Sequence, residues 1–372
     1  MTLFEPPRHP LHRLGHAVLF SFAILASLVL FVASLAPFID PRYFVLPNLL
    51  ALALPWWVVL NLMFLIYWAF RKRDALWLPL LSCLFTVVLH VVRFDTTGAT
   101  PEEASDPEHT LSALSYNVNL FRLYGWAETP PTPKDIAAFV AEHSPDVVCL
   151  QEFTTSDSLF TDSVARQAFL PHTHIFYTYE PEGQILHHGL ALFSRYPIAE
   201  RGTLPFPDSH NAAIYADLVL KHDTLRVYNV HFQSFHLHRK NIKFIRRPYF
   251  FSQGEFLLEL SEIFPKLDHT LKQQAEQVAT LKAHIDASPH PVLLCGDFNA
   301  TPFSYTYAQM ASGLRDAFVE AGRGYGATFF TLPMPMRIDF MLHTTALIAT
   351  DFEVVKEATY SDHLPIFARF RF

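Results

Sequence analysis

At 372 residues the chain is long enough for more than one domain, and its 51% hydrophobic content exceeds that of a typical wholly soluble chain. A formal charge of −7 excludes a broadly nucleic-acid-coating protein, whose affinity comes from Lys and Arg on phosphates. Three cysteines in this length exclude a disulfide-stapled scaffold.

The hydrophobic excess lies at the front. Residues 17–39, 43–70 and 75–92 contain no charged side chain. A helix needs about 20 apolar residues to cross the hydrocarbon layer, so three transmembrane helices are predicted, at about 17–39, 45–70 and 75–92. Arg8 and Arg13 precede the first run as they would a signal peptide, but the run is longer than a signal core of about 7 to 15 residues. Pro47, Asn48, Pro55 and Asn61 make the second run the least regular and predict a tilt or kink there. Arg71, Lys72 and Arg73, with Arg8 and Arg13, mark the cytoplasmic side. Three crossings would then make this an integral protein of the inner or plasma membrane, with everything beyond residue 95 extracytoplasmic.

Residues 96–109, rich in Thr, Pro, Glu and Asp, read as a linker to a domain over 110–372. Residues 1–95 hold seven Lys and Arg against four Asp and Glu, which leaves 21 against 31 beyond them, a net of −10. Such a domain repels an extended polyanion and suits a cation held by carboxylates. Short β-rich runs recur at 111–120, 146–150, 189–194, 212–220, 225–232, 292–295 and 338–342. A helix is predicted over 133–143, and Leu271, Val278, Leu281 and Ile285 stripe another that ends before Pro289. Strands with interleaved helices predict a layered α/β or α+β domain. Cys149 and Cys295 fall in strand-like runs and read as small buried hydrophobes.

Polar residues gather where these apolar runs stop. Asn117 and Asn119 are two apart, as are Asn229 and His231, so each pair is expected on one face of its strand. Gln151 and Glu152 close one run, Asp297 and Asn299 follow another, Asp339 sits in Arg-Ile-Asp-Phe, and Asp362-His363 precedes Leu-Pro.

These blocks together resemble the endonuclease/exonuclease/phosphatase superfamily. In family order they are Ser-Tyr-Asn-Val-Asn, Leu-Gln-Glu, Gly-Leu-Ala-Leu-Phe-Ser-Arg-Tyr-Pro-Ile, Tyr-Asn-Val-His, Gly-Asp-Phe-Asn-Ala-Thr-Pro, Arg-Ile-Asp-Phe and Ser-Asp-His-Leu-Pro. The resemblance implies a four-layered sandwich of two packed mixed β-sheets flanked by helices, with the site at one end of the sheets. It makes Glu152 the main carboxylate ligand of Mg²⁺ or Mn²⁺, with Asn117 beside it and Asp362 as a second metal or structural carboxylate. Asp297 and Asn299 resemble the pair that orients the attacking water and contacts phosphate, Asp339 and His363 a carboxylate–imidazole pair, and His231 the other catalytic histidine. Many relatives carry Asp where this chain has Asn119. Asn119, Asn229 and Arg337 are candidate substrate contacts, although Asn at a strand end also caps turns and Arg also pairs with carboxylates.

Chemistry asks for the same residue types. A hard cation that keeps several waters needs one or two carboxylates, and water attack on a phosphoester needs a proton acceptor and a donor for the leaving oxygen. Which histidine takes which role is open at this point. Asp316 reads as structural, and His187 and His188 as a loop before Gly189 that suits either substrate contact or, more readily, a solvated surface. Residues 236–251 interleave cations with aromatics and suit either phosphate-bearing substrate, anionic headgroups or a solvated helix. The expected function is a membrane-anchored, metal-dependent phosphoesterase, on nucleic acid or phospholipid, with a catalytically inactive phosphate- or lipid-binding domain of the same fold as the alternative. No protein partner is indicated.

Overall fold

The computed structural model describes residues 10–71, 73–91, 110–122, 133–156, 169–179, 186–221, 223–237, 239–247, 252–332, 334–358 and 360–372. The expected linker, 96–109, and residues 248–251 lie outside them. Two units emerge: residues 1–95 with 303–308, and residues 96–302 with 309–372.

In the first unit, α1 (Pro10–Ser34) is followed by α2 (Leu46–Ala51), α3 (Leu54–Arg71) and α4 (Trp77–Val91). The irregularity expected of the second run appears as a break between α2 and α3, just ahead of Pro55. Polar side chains face one another between the helices. Ser27 donates to Asn61 Oδ1 (2.9 Å), Asn61 Nδ2 to the carbonyl of Ala26 (3.0 Å), and Ser34 and Thr86 share a 2.7 Å bond. Leu25, Leu28, Met63, Ile66 and Leu81 point outward and are exposed. Among the described residues two helices, Leu14–Phe38 and Leu54–Arg71, are long and apolar enough to cross a membrane, rather than the three expected. The third apolar helix, Trp77–His90, is shorter.

The second unit is built on β1 (Thr110–Asn117), α5 (Pro133–His143), β2 (Val147–Ser156), β3 (His172–Tyr179), β4 (Leu186–Ser194), β5 (Ile198–Pro205), β6 (Ala212–Val219) and β7 (Thr224–His231). After these come α6 (Arg239–Arg246), α7 (Gln253–Asp286), β8 (Val292–Asp297), β9 (Arg315–Asp316), β10 (Asp339–His343), β11 (Ile348–Val354) and β12 (Ile366–Arg371). Among the described residues one sheet has the order β11-β12-β1-β2-β4-β3 and the other β5-β6-β7-β8-β10-β9. Both are mixed, because β1–β2 and β7–β8 run parallel while their neighbours run antiparallel.

Period-two alternation decides which face meets what. Leu111, Ala113, Val147 and Cys149 point into the core between the sheets, where they join Ile214, Ala216, Val227, Leu293 and Cys295. Their neighbours Leu114, Tyr116, Val148 and Leu150 point the other way and pack with Ile136, Phe139 and Val140 of α5. The second half of α7 buries Leu271, Ala275, Val278, Leu281 and Ile285 along one helical stripe. It is tied to the far face of the other sheet by a 2.7 Å bond between Tyr228 Oη and His284 Nδ1 and by Gln274 Nε2 on the carbonyl of Gln233 (2.7 Å). Helix, sheet, sheet and helix therefore make the four layers expected.

Candidate active site

Strand register brings the polar residues together. His231 at the end of β7 pairs with Asp297 at the end of β8, and Asp297 pairs in turn with Asp339 at the start of β10. In the other sheet Asn117 ends β1 opposite Gln151 of β2. Parallel strands finishing at one edge, with an antiparallel strand starting there, put all five at the same end of the sandwich. Gly296 makes the β7–β8 approach possible: its φ is 150°, and a Cβ there would lie 2.0 Å from the carbonyl oxygen of Val230.

Glu152 arrives by a different route from the one expected. β2 does not stop at Leu150 but continues to Ser156, and its ladder to β4 slips between Leu150 and Phe153. Leu150 faces Ala191 and Phe153 faces Gly189, so Gln151 and Glu152 together oppose Leu190 alone. The bulge turns Gln151 inward and aims Glu152 at the site. Glu152 has φ 51°, Asn119 46° and Asn299 48°. Three site residues thus sit in a left-handed conformation that side chains other than Gly rarely adopt.

Asp297 is the hub. Its Oδ1 accepts the backbone N–H of Asn299 (2.8 Å), and its Oδ2 accepts Asn117 Nδ2 (3.0 Å) and Asn299 Nδ2 (3.3 Å). The imidazoles His231 and His363 each place Nε2 3.7 Å from the same Oδ2. Asn117 also reaches Glu152 Oε1 (3.3 Å), which lies 3.8 Å from His231 Nε2. His363 Nδ1 donates to Asp339 Oδ2 at 3.0 Å. Asn119 Nδ2 donates to Asp362 Oδ1 at 2.7 Å, and its backbone N–H to Asn117 Oδ1 at 3.0 Å.

Burial and charge separate the two histidines, which the sequence left open. Burial alone would lower His363, but the surrounding charges of Asp339, Asp297 and Asp362 outweigh it and push its pKa up to about 10. Burial instead holds His231 below its ordinary value, against the pull of Asp297. At neutral pH His363 is an imidazolium and His231 a neutral ring. Burial, only partly offset by His363, pushes Asp297 up to about 6. Burial and the charge of Asp362 raise Glu152 as well.

Two expected substrate contacts are placed elsewhere. Asn229 is fully buried between the sheets, where its Nδ2 donates to the carbonyls of Leu150 and Ala191 (both 2.9 Å) and its Oδ1 accepts Gln151 Nε2 (2.7 Å). Lying two residues deeper in β7 than His231, it stitches the sheets instead of reaching the cleft. Arg337 is buried against Asp316 (2.9 and 3.1 Å) and stacks over Phe318 and Phe340 at 4.5 and 4.7 Å. Asp316 also accepts the backbone N–H of Phe318 (3.0 Å) at the start of a short helix. A cleft of about 250 Å³ opens beside Glu152 and His231, walled by Thr178, His188, His210 and His236. His188, which the sequence left between substrate contact and a solvated loop, lies in β4 and belongs to this wall. Thr178 and His210 carried no signal, because their proximity depends on strand pairing across the domain.

Two packed mixed sheets with carboxylates, amides and imidazoles collected at one end define the fold class. The sequence model of the Endonuclease/Exonuclease/phosphatase family matches residues 114–363, well over half of the chain, and the chain belongs to that family. Residues 16–91 match a domain of unknown function (DUF8431). No curated protein matches the sequence. Among solved structures, the endonuclease/exonuclease/phosphatase from Beutenbergia cavernae is similar at 18% identity and TM-score 0.51, covering 71% of this chain and 72% of its own. A family protein from Leptotrichia buccalis reaches 16% and 0.50, covering 70% and 100%. TDP2 from D. rerio, solved with a single-strand DNA product, reaches 14% and 0.50, covering 71% and 99%. At these identities the likeness shows the fold.

Proposed function

We propose that this chain is a divalent-cation-dependent phosphoesterase, attached to a membrane by its N-terminal helices, that hydrolyses a phosphodiester or phosphomonoester by attack of water. The observation that carries the reading is the Asp297 hub, one carboxylate 3.7 Å from two imidazoles, of which the surrounding charges raise His363 and burial lowers His231. Asp297, poised near 6, accepts the proton of the attacking water, and Asn299 holds its carboxylate in place. The His363 imidazolium, fixed by Asp339, offers positive charge to phosphoryl oxygen. Neutral His231 donates a hydrogen bond without bringing a second charge. Such groups each contribute about 10²- to 10⁴-fold to the chemical step.

The donor set fits a hard cation. Asp339 Oδ1 is buried with no hydrogen-bond partner, and Glu152 is raised partly by the charge of Asp362, so carboxylates outnumber the cations beside them. Glu152, Asn117 and Asp362 are the residues that would hold Mg²⁺ or Mn²⁺, with Asn119 positioning Asp362. Asp297, Asp339 and His363 also lie close enough for a metal, but a protonated His363 whose Nδ1 is bonded to Asp339 is a poor ligand. Bound there, the cation would withdraw charge from the phosphoryl group. Purified chain assayed on a panel of phosphodiesters and phosphomonoesters should turn over with Mg²⁺ or Mn²⁺ and stop in excess chelator. Turnover unchanged by chelator, or a Glu152→Gln variant with an unaltered metal response, overturns the reading.

The cleft of about 250 Å³ and the domain's net acidity favour a small or membrane-borne phosphoester, or a strand end, over long duplex DNA. Orientation follows from the crossings. With Leu14–Phe38 and Leu54–Arg71 as the two spans, Arg8, Arg13, Arg71, Lys72 and Arg73 all stay on one side, and the catalytic domain stays with them in the cytoplasm. The extracytoplasmic placement expected from the sequence requires a further crossing. Alkaline phosphatase fused to the C-terminus separates the two: activity there means outside, and its absence with a fluorescent cytoplasmic reporter means inside.

A further inference from the structure

The two halves of α7 live in different surroundings. From Thr270 onward the helix buries a regular stripe, whereas before it only Glu259 and Ile263 are buried. What faces them is α6. Asn241 Nδ2 donates to Glu259 Oε2 (3.1 Å), Lys240 pairs with the same carboxylate, Lys266 Nζ reaches Asn241 Oδ1 (3.3 Å), and the rings of Phe244 and Phe256 lie 5.2 Å apart. A capping box of Ser252 and Glu255 starts α7. The result is a helical hairpin joined by its own internal contacts.

Its outer face is apolar. Phe256, Leu257, Leu260 and Phe264 are 37, 60, 44 and 55% exposed. Spaced three, four and seven apart, they form one stripe on α7. Beyond residue 95 the other exposed large apolar side chains among the described residues are Leu258, on the opposite side of α7, and Val219, Tyr325 and Phe330. A contiguous apolar stripe of this kind marks a surface that meets something other than water. α6 brings Arg239, Lys240, Lys243 and Arg246 with no acidic residue. Lys240 is tied to Glu259, while Lys243 and Arg246 are exposed and have no acidic partner among the described residues. Glu255 and Glu262 project from the side of α7 opposite Leu260.

We propose that the α6–α7 hairpin is a lipid-contacting element: the stripe Phe256, Leu257, Leu260 and Phe264 enters the headgroup–acyl boundary of an anionic bilayer, and Lys243 and Arg246 meet its phosphates. An apolar stripe flanked by cations is the combination that anionic interfaces bind. A second copy of the chain offering the same face would set these cations against their own counterparts, which disfavours self-association. The inference goes beyond the phosphoester chemistry and takes from the reading above only proximity to a membrane.

The test follows the hairpin's environment and leaves turnover aside. The full chain, with Cys83→Ser and Leu260→Cys, is labelled with an environment-sensitive fluorophore and reconstituted in vesicles; Cys149 and Cys295 are fully buried and stay unlabelled. In phosphatidylglycerol-rich vesicles the emission should shift to the blue and be quenched by acyl-chain nitroxide lipids, and in phosphatidylcholine vesicles much less. Lys243→Glu with Arg246→Glu should weaken insertion about 30-fold, taking about fivefold per cation near an anionic surface. Both side chains are exposed, so Tm should be unchanged. Unquenched emission in anionic vesicles overturns the proposal. Quenching that ignores both lipid charge and charge reversal overturns the role of the cations. Energy transfer between labelled copies without lipid quenching assigns the face to a second copy and overturns it as well.

Discussion

Two buried asparagines in one domain show how differently the seam between the sheets and the end of the sandwich use the same chemistry. In the seam, Asn229 has both amide hydrogens and its oxygen engaged by the neighbouring sheet. At the end, Asn117 bridges two carboxylates, beside which His231 Nε2 and Asp339 Oδ1 are buried with no hydrogen-bond partner. A polar group whose capacity is filled by the fold stabilises it, and one held in place with capacity to spare is available for chemistry. Burial and saturation do not separate the two asparagines, since both are fully bonded: Asn229 is bonded to carbonyls and an amide of the opposite sheet, Asn117 to the carboxylates and loop of the site.

Breaking the hub should produce the largest effect. Asp297→Asn should lower kcat by about 10² to 10⁴ while leaving Tm unchanged or higher, since burial disfavours the native carboxylate's charge. Parallel loss of Tm and activity in thermal melts and initial-rate assays would erase the distinction drawn here. Arg337→Met should act in the opposite sense. It strands the buried Asp316 and should cost about 3–5 kcal/mol in urea unfolding, with kcat per folded molecule kept. Asn229→Ala removes donors from two carbonyls and the acceptor for Gln151, and at about 1–3 kcal/mol per group left unsatisfied it should lower stability by a few kcal/mol. If kcat falls while stability holds, Asn229 belongs with the site after all.

The smallest effect is a pH dependence. Folding raises His363 from an ordinary value near 6.5 to about 10, so the folded state favours the protonated ring. Its contribution to stability is complete below about 6.5 and disappears as pH rises through 10. With chelator present, the Tm advantage of the native chain over His363→Gln should be a few degrees near pH 6 and close by about pH 10. A gap that widens with pH would mean that His363 is neutral in the fold.

Much of this was legible in the residue pattern. Short β-rich runs predicted β1, β7 and β8, and the stripe Leu271, Val278, Leu281 and Ile285 predicted the buried half of α7. The first half of α7 was not legible, because Pro265 and the outward apolar stripe hide the amphipathic pattern on which a helix assignment rests. Asn229 and His231 share a face of β7 as their spacing implied, but spacing says nothing of depth along the strand, and depth decides whether an amide meets the cleft or the opposite sheet. Arg337 failed for a similar reason, since its partner Asp316 is 21 residues away in sequence. Three membrane crossings were expected from charge-free length, whereas among the described residues the second run spends residues in a break and the third is a shorter helix than the other two spans.

The bulge in β2 has a consequence for how such a site is lost and gained. Leu150 and Phe153 both pack with α5 and Gln151 points between the sheets, so removing Glu152 would leave the inside–outside alternation intact and set Gln151 one-to-one against Leu190. It would also remove a left-handed residue that costs about 1–2 kcal/mol. The residue proposed as the principal metal ligand is thus the single supernumerary residue of an otherwise regular ladder. One codon's deletion should give a sturdier protein without its chemistry, and one codon's insertion is the reverse step, so an active and an inert version of this sandwich stand a single indel apart.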